Sequence, residues 1–98
     1  MADYLFLMHD TEGTAPVVAD WGPYIEGLVA KGVMRGGSAI GNGLCVRMSG
    51  DVPAITTHLG GYIKVEVEDL DAARALLPGN PVYEAGGVVE IRELPRTD

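Results

Sequence analysis

Tyr4-Leu5-Phe6-Leu7-Met8-His9 is apolar on both of its alternating sets of residues. In a strand, Tyr4, Phe6 and Met8 would point to one face of the sheet, and Leu5 and Leu7 to the other. A half-buried strand alternates apolar with polar, whereas a strand covered on both faces does not. This segment therefore requires two covers.

Working outward, Trp21, Ile25, Leu28 and Val29 recur at helical spacing between Val17 and Val33 and form one apolar stripe. Gly32 stops that helix. Pro23 disfavours helix at Gly22, so either the helix begins near Pro23 or a turn over Val17–Asp20 precedes it. Between His9 and this helix, Asp10-Thr11-Glu12-Gly13-Thr14 breaks the first strand. Gly36 to Gly43 is rich in small residues, and Leu44-Cys45-Val46-Arg47-Met48 after it has the pattern of a second strand or the far arm of a hairpin, ended by a turn at Ser49-Gly50-Asp51. Tyr62-Ile63-Lys64-Val65-Glu66-Val67 alternates cleanly and is the least ambiguous strand. Asp69 can cap a second helix with Leu70, Ala73, Leu76 and Leu77 on its apolar face, ended by Pro78-Gly79-Asn80-Pro81. Val88 to Leu94 is again strand-like.

The order β, α, β with a hairpin elaboration, β, α, β is the split βαβ pattern of an α+β, ferredoxin-like domain with a four-stranded antiparallel sheet. Both helices of such a fold lie on one face of the sheet. The second cover that strand 1 requires then falls to a second subunit, two sheets facing each other across a two-fold axis. The length of 98 residues fits a single domain spanning 1–98, with a thin core to which an interface would add.

Composition excludes several classes of function. Fourteen acidic residues against seven basic give a net charge of −7, with Lys and Arg scattered, which opposes binding to nucleic acid or to an anionic membrane surface. No apolar run approaches the length of a membrane span, and the N-terminus has no signal-like pattern, so a cytoplasmic location is the default expectation. Cys45 is the only cysteine, expected as a small core residue.

Three stretches taken in order are similar to the YCII-related family of the dimeric α+β barrel superfamily. They are Tyr4 to Asp10, Leu59 to Ala73 and Asn80 to Arg92, with Lys31-Gly32-Val33 at the usual end of helix 1. The resemblance implies a ferredoxin-like protomer, a homodimer, and a cleft between sheet and helices. Some members pair a strand-1 Asp with a helix-1 His as an acid/base couple. Asp10 matches the Asp, but Trp21 stands at about the place of the His. The Asp-Gly-Pro-Phe motif of another branch is also missing.

Among residues able to carry chemistry, His9 and His58 are the only histidines, and histidine is the side chain type whose unperturbed pKa lies near neutrality. The candidate acid/base set is Asp10 with His9 or His58, the latter entering the clean strand beside strand 1. His9 and Asp10, as strand neighbours, point to opposite faces unless the strand breaks between them. Trp21, Tyr24, Tyr62 and Lys64 are the candidate lining of a pocket for a small organic ligand, Lys64 or Arg47 suiting an anionic one. Gly36-Gly37, Gly60-Gly61 and Gly86-Gly87 mark either bulges or close approach of backbone to a ligand. No pair of residues has metal-ligand spacing, and Gly37 to Gly43 leads from a helix into a strand, the reverse of a dinucleotide loop, so neither metal nor cofactor is expected. The sequence leaves three functions open: a small-molecule-binding module, a cofactor-free lyase or isomerase, and a non-catalytic dimeric scaffold.

Overall fold

The computed structural model describes residues 1–10 and 18–96. Its elements are β1 (Ala2–His9), a single 3₁₀ turn (Val18–Asp20), α1 (Trp21–Ala30), β2 (Met34–Ala39), β3 (Leu59–Val67), α2 (Leu70–Arg74), α3 (Pro81–Glu84) and β4 (Val89–Leu94). The strands form one antiparallel sheet in the order β2-β3-β1-β4, the ferredoxin-like order that the element sequence implied. The break expected over Asp10–Thr14 and the start of the turn expected from Val17 lie largely outside the described residues.

Alternation along β1 and β3 sorts the side chains. Tyr4, Phe6 and Met8 are buried on the helix side, opposite Val65, Ile63 and Gly61. Leu28 of α1, Ala73 of α2, and Leu76 and Val82 close this core from above. Leu5 and Leu7 lie on the other face with Tyr62, Lys64, Glu66, Glu90, Arg92 and Leu94, and both leucines remain partly exposed. The two-sided apolar character of β1 therefore corresponds to one buried and one incompletely covered face.

Helix ends follow their sequence signals. The 3₁₀ turn ends at Asp20 and α1 starts at Trp21, so Pro23 occupies the first turn, where a missing N–H costs little. Gly32, at φ 75°, ends α1. The Asp69 carboxylate accepts the Ala72 N–H at 2.8 Å and caps α2. Helix α3 was not legible as an element: Asn80 caps it by accepting from the Val82 and Tyr83 N–H groups, with Pro81 at its first position. An Asn followed by Pro is a start signal as well as a stop signal.

Two expectations are corrected. The second strand is the small-residue segment Met34–Ala39, and Leu44 to Met48 carries no strand. Residues 40–58 instead form an arm that doubles back without a ladder, bringing the Ile55 side chain near Gly43, with the Arg47 guanidinium donating to the Asp51 carbonyl at 2.9 Å. Three glycines in the arm limb and its root weaken any strand there. Cys45, expected in the core, sits half-buried on this arm because the arm does not pack on the core.

Candidate functional site

The site is built on a break in register. Met8 pairs with Gly61 and His9 with Leu59, so Gly60 is the extra residue of a β-bulge opposite the end of β1. Past His9 the chain is held to β3 by the Asp10 N–H donating to the His58 carbonyl at 2.6 Å. The bulge sets the Asp10 side chain over Gly60: a Cβ built there would stand 2.8 Å from the carboxyl carbon and 2.9 Å from Oδ2. Only glycine leaves that space open.

The Asp10 carboxylate lies at a cavity of about 450 Å³ between the helix-side face of the sheet and α1. Apolar side chains dominate its wall: Met8, Trp21, Ile25, Met34, Ile63 and Val82. Its floor is strand backbone at Gly37–Ala39 and Gly60–Tyr62, bare where Gly37 and Gly61 lack side chains. Among the described residues lining it, Asp10 is the only carboxylate, and none is a Lys, Arg or His. The size and the balance of many apolar groups with one convergent polar group suit a small organic ligand.

The candidate residues divide between two faces of the sheet. Asp10 and Trp21 line the cavity, and Tyr62 borders it through the strand on which it stands. Tyr24 packs edge-on to Trp21 but turns into the core, where its hydroxyl donates to the Leu76 carbonyl at 2.9 Å. Burial raises the Tyr24 pKa above its ordinary value by desolvating the phenolate, and contact with Asn80 opposes this in part. Lys64 pairs in register with Leu5 and so shares the helix-free face, away from the cavity. Arg47 is on the arm, bound to Asp51. The anionic ligand that these two cations suggested has no cation to meet it among the described lining residues.

His9 and His58 also stand apart from the cavity. The His9 Nε2 is 2.9 Å from Glu90 Oε1, and the two imidazoles meet edge to face with centroids 4.8 Å apart. No hydrogen bond joins either imidazole to the Asp10 carboxylate among the described residues. His9 and Arg92 together hold the Glu90 carboxyl below its usual range. At the far end of the same face, Arg96 bonds both Asp3 and Glu66, and Arg35 bonds Glu66 at 3.0 Å. These guanidinium contacts lower both carboxyl pKa values, Arg96 being the larger cause for each.

Sequence reasoning missed Met8, Met34, Ile25 and Val82 as lining residues, and Gly60 as the residue that accommodates the carboxylate. The Gly60-Gly61 pair facing the end of β1 was the available signal. Among the described residues no group of three His, Cys, Asp or Glu side chains is arranged to hold a metal ion, and no helix is long and apolar enough to cross a membrane.

Comparison with solved structures finds 5-chloro-2-hydroxyhydroquinone dehydrochlorinase (TftG) from Burkholderia phenoliruptrix AC1100, in complex with 2,5-dihydroxybenzoquinone. It superposes with a TM-score of 0.58 at 14% identity, over 97% of this chain and 95% of that one. The likeness is one of fold. No curated protein matches the chain. The profile of the YCII-related domain, however, matches residues 2–97, nearly the whole length, and with the sheet order and the fold of this neighbour it establishes that the chain belongs to the YCII-related family.

Proposed function

We propose that the protein binds a small, uncharged, hydroxyl-bearing ring in the cavity beside Asp10. The observation that carries this reading is the single carboxylate at the edge of an otherwise apolar concavity of about 450 Å³. A carboxylate accepts strong hydrogen bonds from hydroxyl groups, while Trp21, Met8 and Met34 offer flat and polarisable surface to a ring. An anionic ligand would meet only a negative charge there. The ring held by TftG, a neighbour in fold, is in keeping with a flat oxygenated ligand, although that compound, a vinylogous acid, is ionised at neutral pH.

A catalytic reading follows from the same carboxylate. Asp10 would act alone in the cavity as the base that takes a proton from a ligand hydroxyl, since His9 and His58 engage Glu90 and each other. The protomers of a homodimer would face each other through the helix-free sheet surface, where Leu5, Leu7, Tyr62 and Leu94 are partly exposed between the Asp3–Arg96–Glu66–Arg35 ion pairs and the His9–Glu90–Arg92 group.

Trp21, the only tryptophan, lines the cavity, so its fluorescence reports occupancy. Titration at pH 7 with hydroquinone and with benzoate tests the reading. Saturable quenching by hydroquinone at concentrations at least tenfold below any effect of benzoate is expected; equal or preferred response to benzoate would overturn it.

A further inference from the structure

We propose that the arm of residues 40–58 clasps a second copy of this chain. Leu44, Val46 and Met48 alternate along its outgoing limb and are 75%, 78% and fully exposed; Ile40, Val52 and Ile55 are exposed as well. The arm nevertheless turns back on itself, the Ile55 side chain standing close enough to Gly43 that a Cβ there would touch it, and its bend is closed by Arg47 donating to the Asp51 carbonyl. A shaped element whose large apolar side chains find no cover on their own chain is built to be covered by another surface.

Area and charge identify that surface as a second copy. A folded monomer of 10.3 kDa exposes about 5,400 Å² by the usual scaling with mass. This chain exposes 6678 Å². The excess, about 1,300 Å², exceeds the roughly 800 Å² that each partner of a stable complex buries. Within residues 40–58, Arg47 balances Asp51, so the arm carries no net charge in a chain of net charge −7. It is thus a segment through which two such acidic molecules can meet with little repulsion. The partly exposed leucines of the helix-free face are present on every copy and continue the apolar surface that the arm requires.

The arm contact goes beyond the facing-sheet dimer, and the two are separable. Sedimentation velocity over a dilution series would compare the full chain with a Leu44→Ser/Val46→Ser/Met48→Ser variant and with Leu7→Asp on the sheet face. Circular dichroism verifies that each variant remains folded; the arm substitutions touch no core residue. The wild-type protein is expected to be a dimer, with the arm variant raising its dissociation constant about 100-fold or more, as loss of three buried apolar side chains implies. An arm variant that dimerises as tightly as the wild type overturns the proposal, even if Leu7→Asp dissociates. A wild-type protein that is monomeric throughout also overturns it. Cys45 supplies a readout in the unaltered protein: its reaction with a thiol reagent should slow as concentration rises through the dimerisation range. A rate independent of association would contradict the clasp.

Discussion

Replacing Gly60 by alanine separates the fold from the site. The new methyl group falls on the Asp10 carboxylate, 2.8 Å from its carbon and 2.9 Å from Oδ2, where about 3.4 Å is ordinary contact. Gly60 does not have positive φ, so alanine adds no backbone strain there. The clashing atoms are the end of a short side chain at an exposed residue, which relieves the contact by leaving its rotamer at about 0.5–1.5 kcal/mol. The fold should lose no more than about that amount. The carboxylate, in contrast, must move away from the cavity edge. A hydrogen bond to a charged acceptor contributes about 1.5–3 kcal/mol, so affinity for hydroquinone should fall about 10- to 150-fold. Chemical denaturation gives the first number and Trp21 fluorescence titration the second. Unchanged affinity in Gly60→Ala would refute the assignment of Asp10 as the polar anchor. Loss of folding would refute the claim that the side chain can yield.

Further outcomes follow from the core, the caps and the ionisable groups. Phe6→Ala, at a fully buried site on the helix side of the sheet, should cost about 3–5 kcal/mol in urea denaturation. Asn80→Ala removes the acceptor for two backbone N–H groups at the start of α3 and should cost about 1–2 kcal/mol, more than Asp69→Ala at its exposed cap. Asp3, Glu66 and Glu90 have folded pKa values below their unfolded ones, so their contribution is present above the ordinary carboxylate range and lost as pH falls through the folded values; melting temperature should drop below about pH 4. Tyr24 is shifted the other way: its contribution is complete below about pH 10 and is lost as pH rises through the raised folded value, and Tyr24→Phe should remove that part of the alkaline transition.

The sheet was largely legible because its signals are local and periodic. Tyr62 to Val67 alternates, β1 is apolar on both faces, and Asp69 and Gly32 mark helix ends in the usual ways. The second strand was not, since Met34–Ala39 gains its pairing from β3, with Arg35 the extra residue of a bulge before Gly36, against its own low strand propensity. The arm misled for the converse reason: Leu44 to Met48 has a strand's pattern and no neighbouring strand to pair with. At the site, Asp10 and Trp21 could be singled out by type. The faces of these groups follow from alternation: Asp10 continues the Tyr4, Phe6, Met8 set toward the cavity, while His9 and Lys64 fall on the opposite surface. What alternation could not give is the one-residue bulge at Gly60, which shifts Leu59 and His58 relative to β1 and opens the space the Asp10 carboxylate occupies.

The central claim, that the Asp10 carboxylate anchors a neutral hydroxylated ring in the cavity, is tested most directly by calorimetric titration of hydroquinone into the wild type and Asp10→Ala. Binding in the wild type that weakens at least tenfold in the variant, with equal melting temperatures of the unliganded proteins to within a few degrees, is the predicted result. Identical binding isotherms for the two proteins would contradict the account.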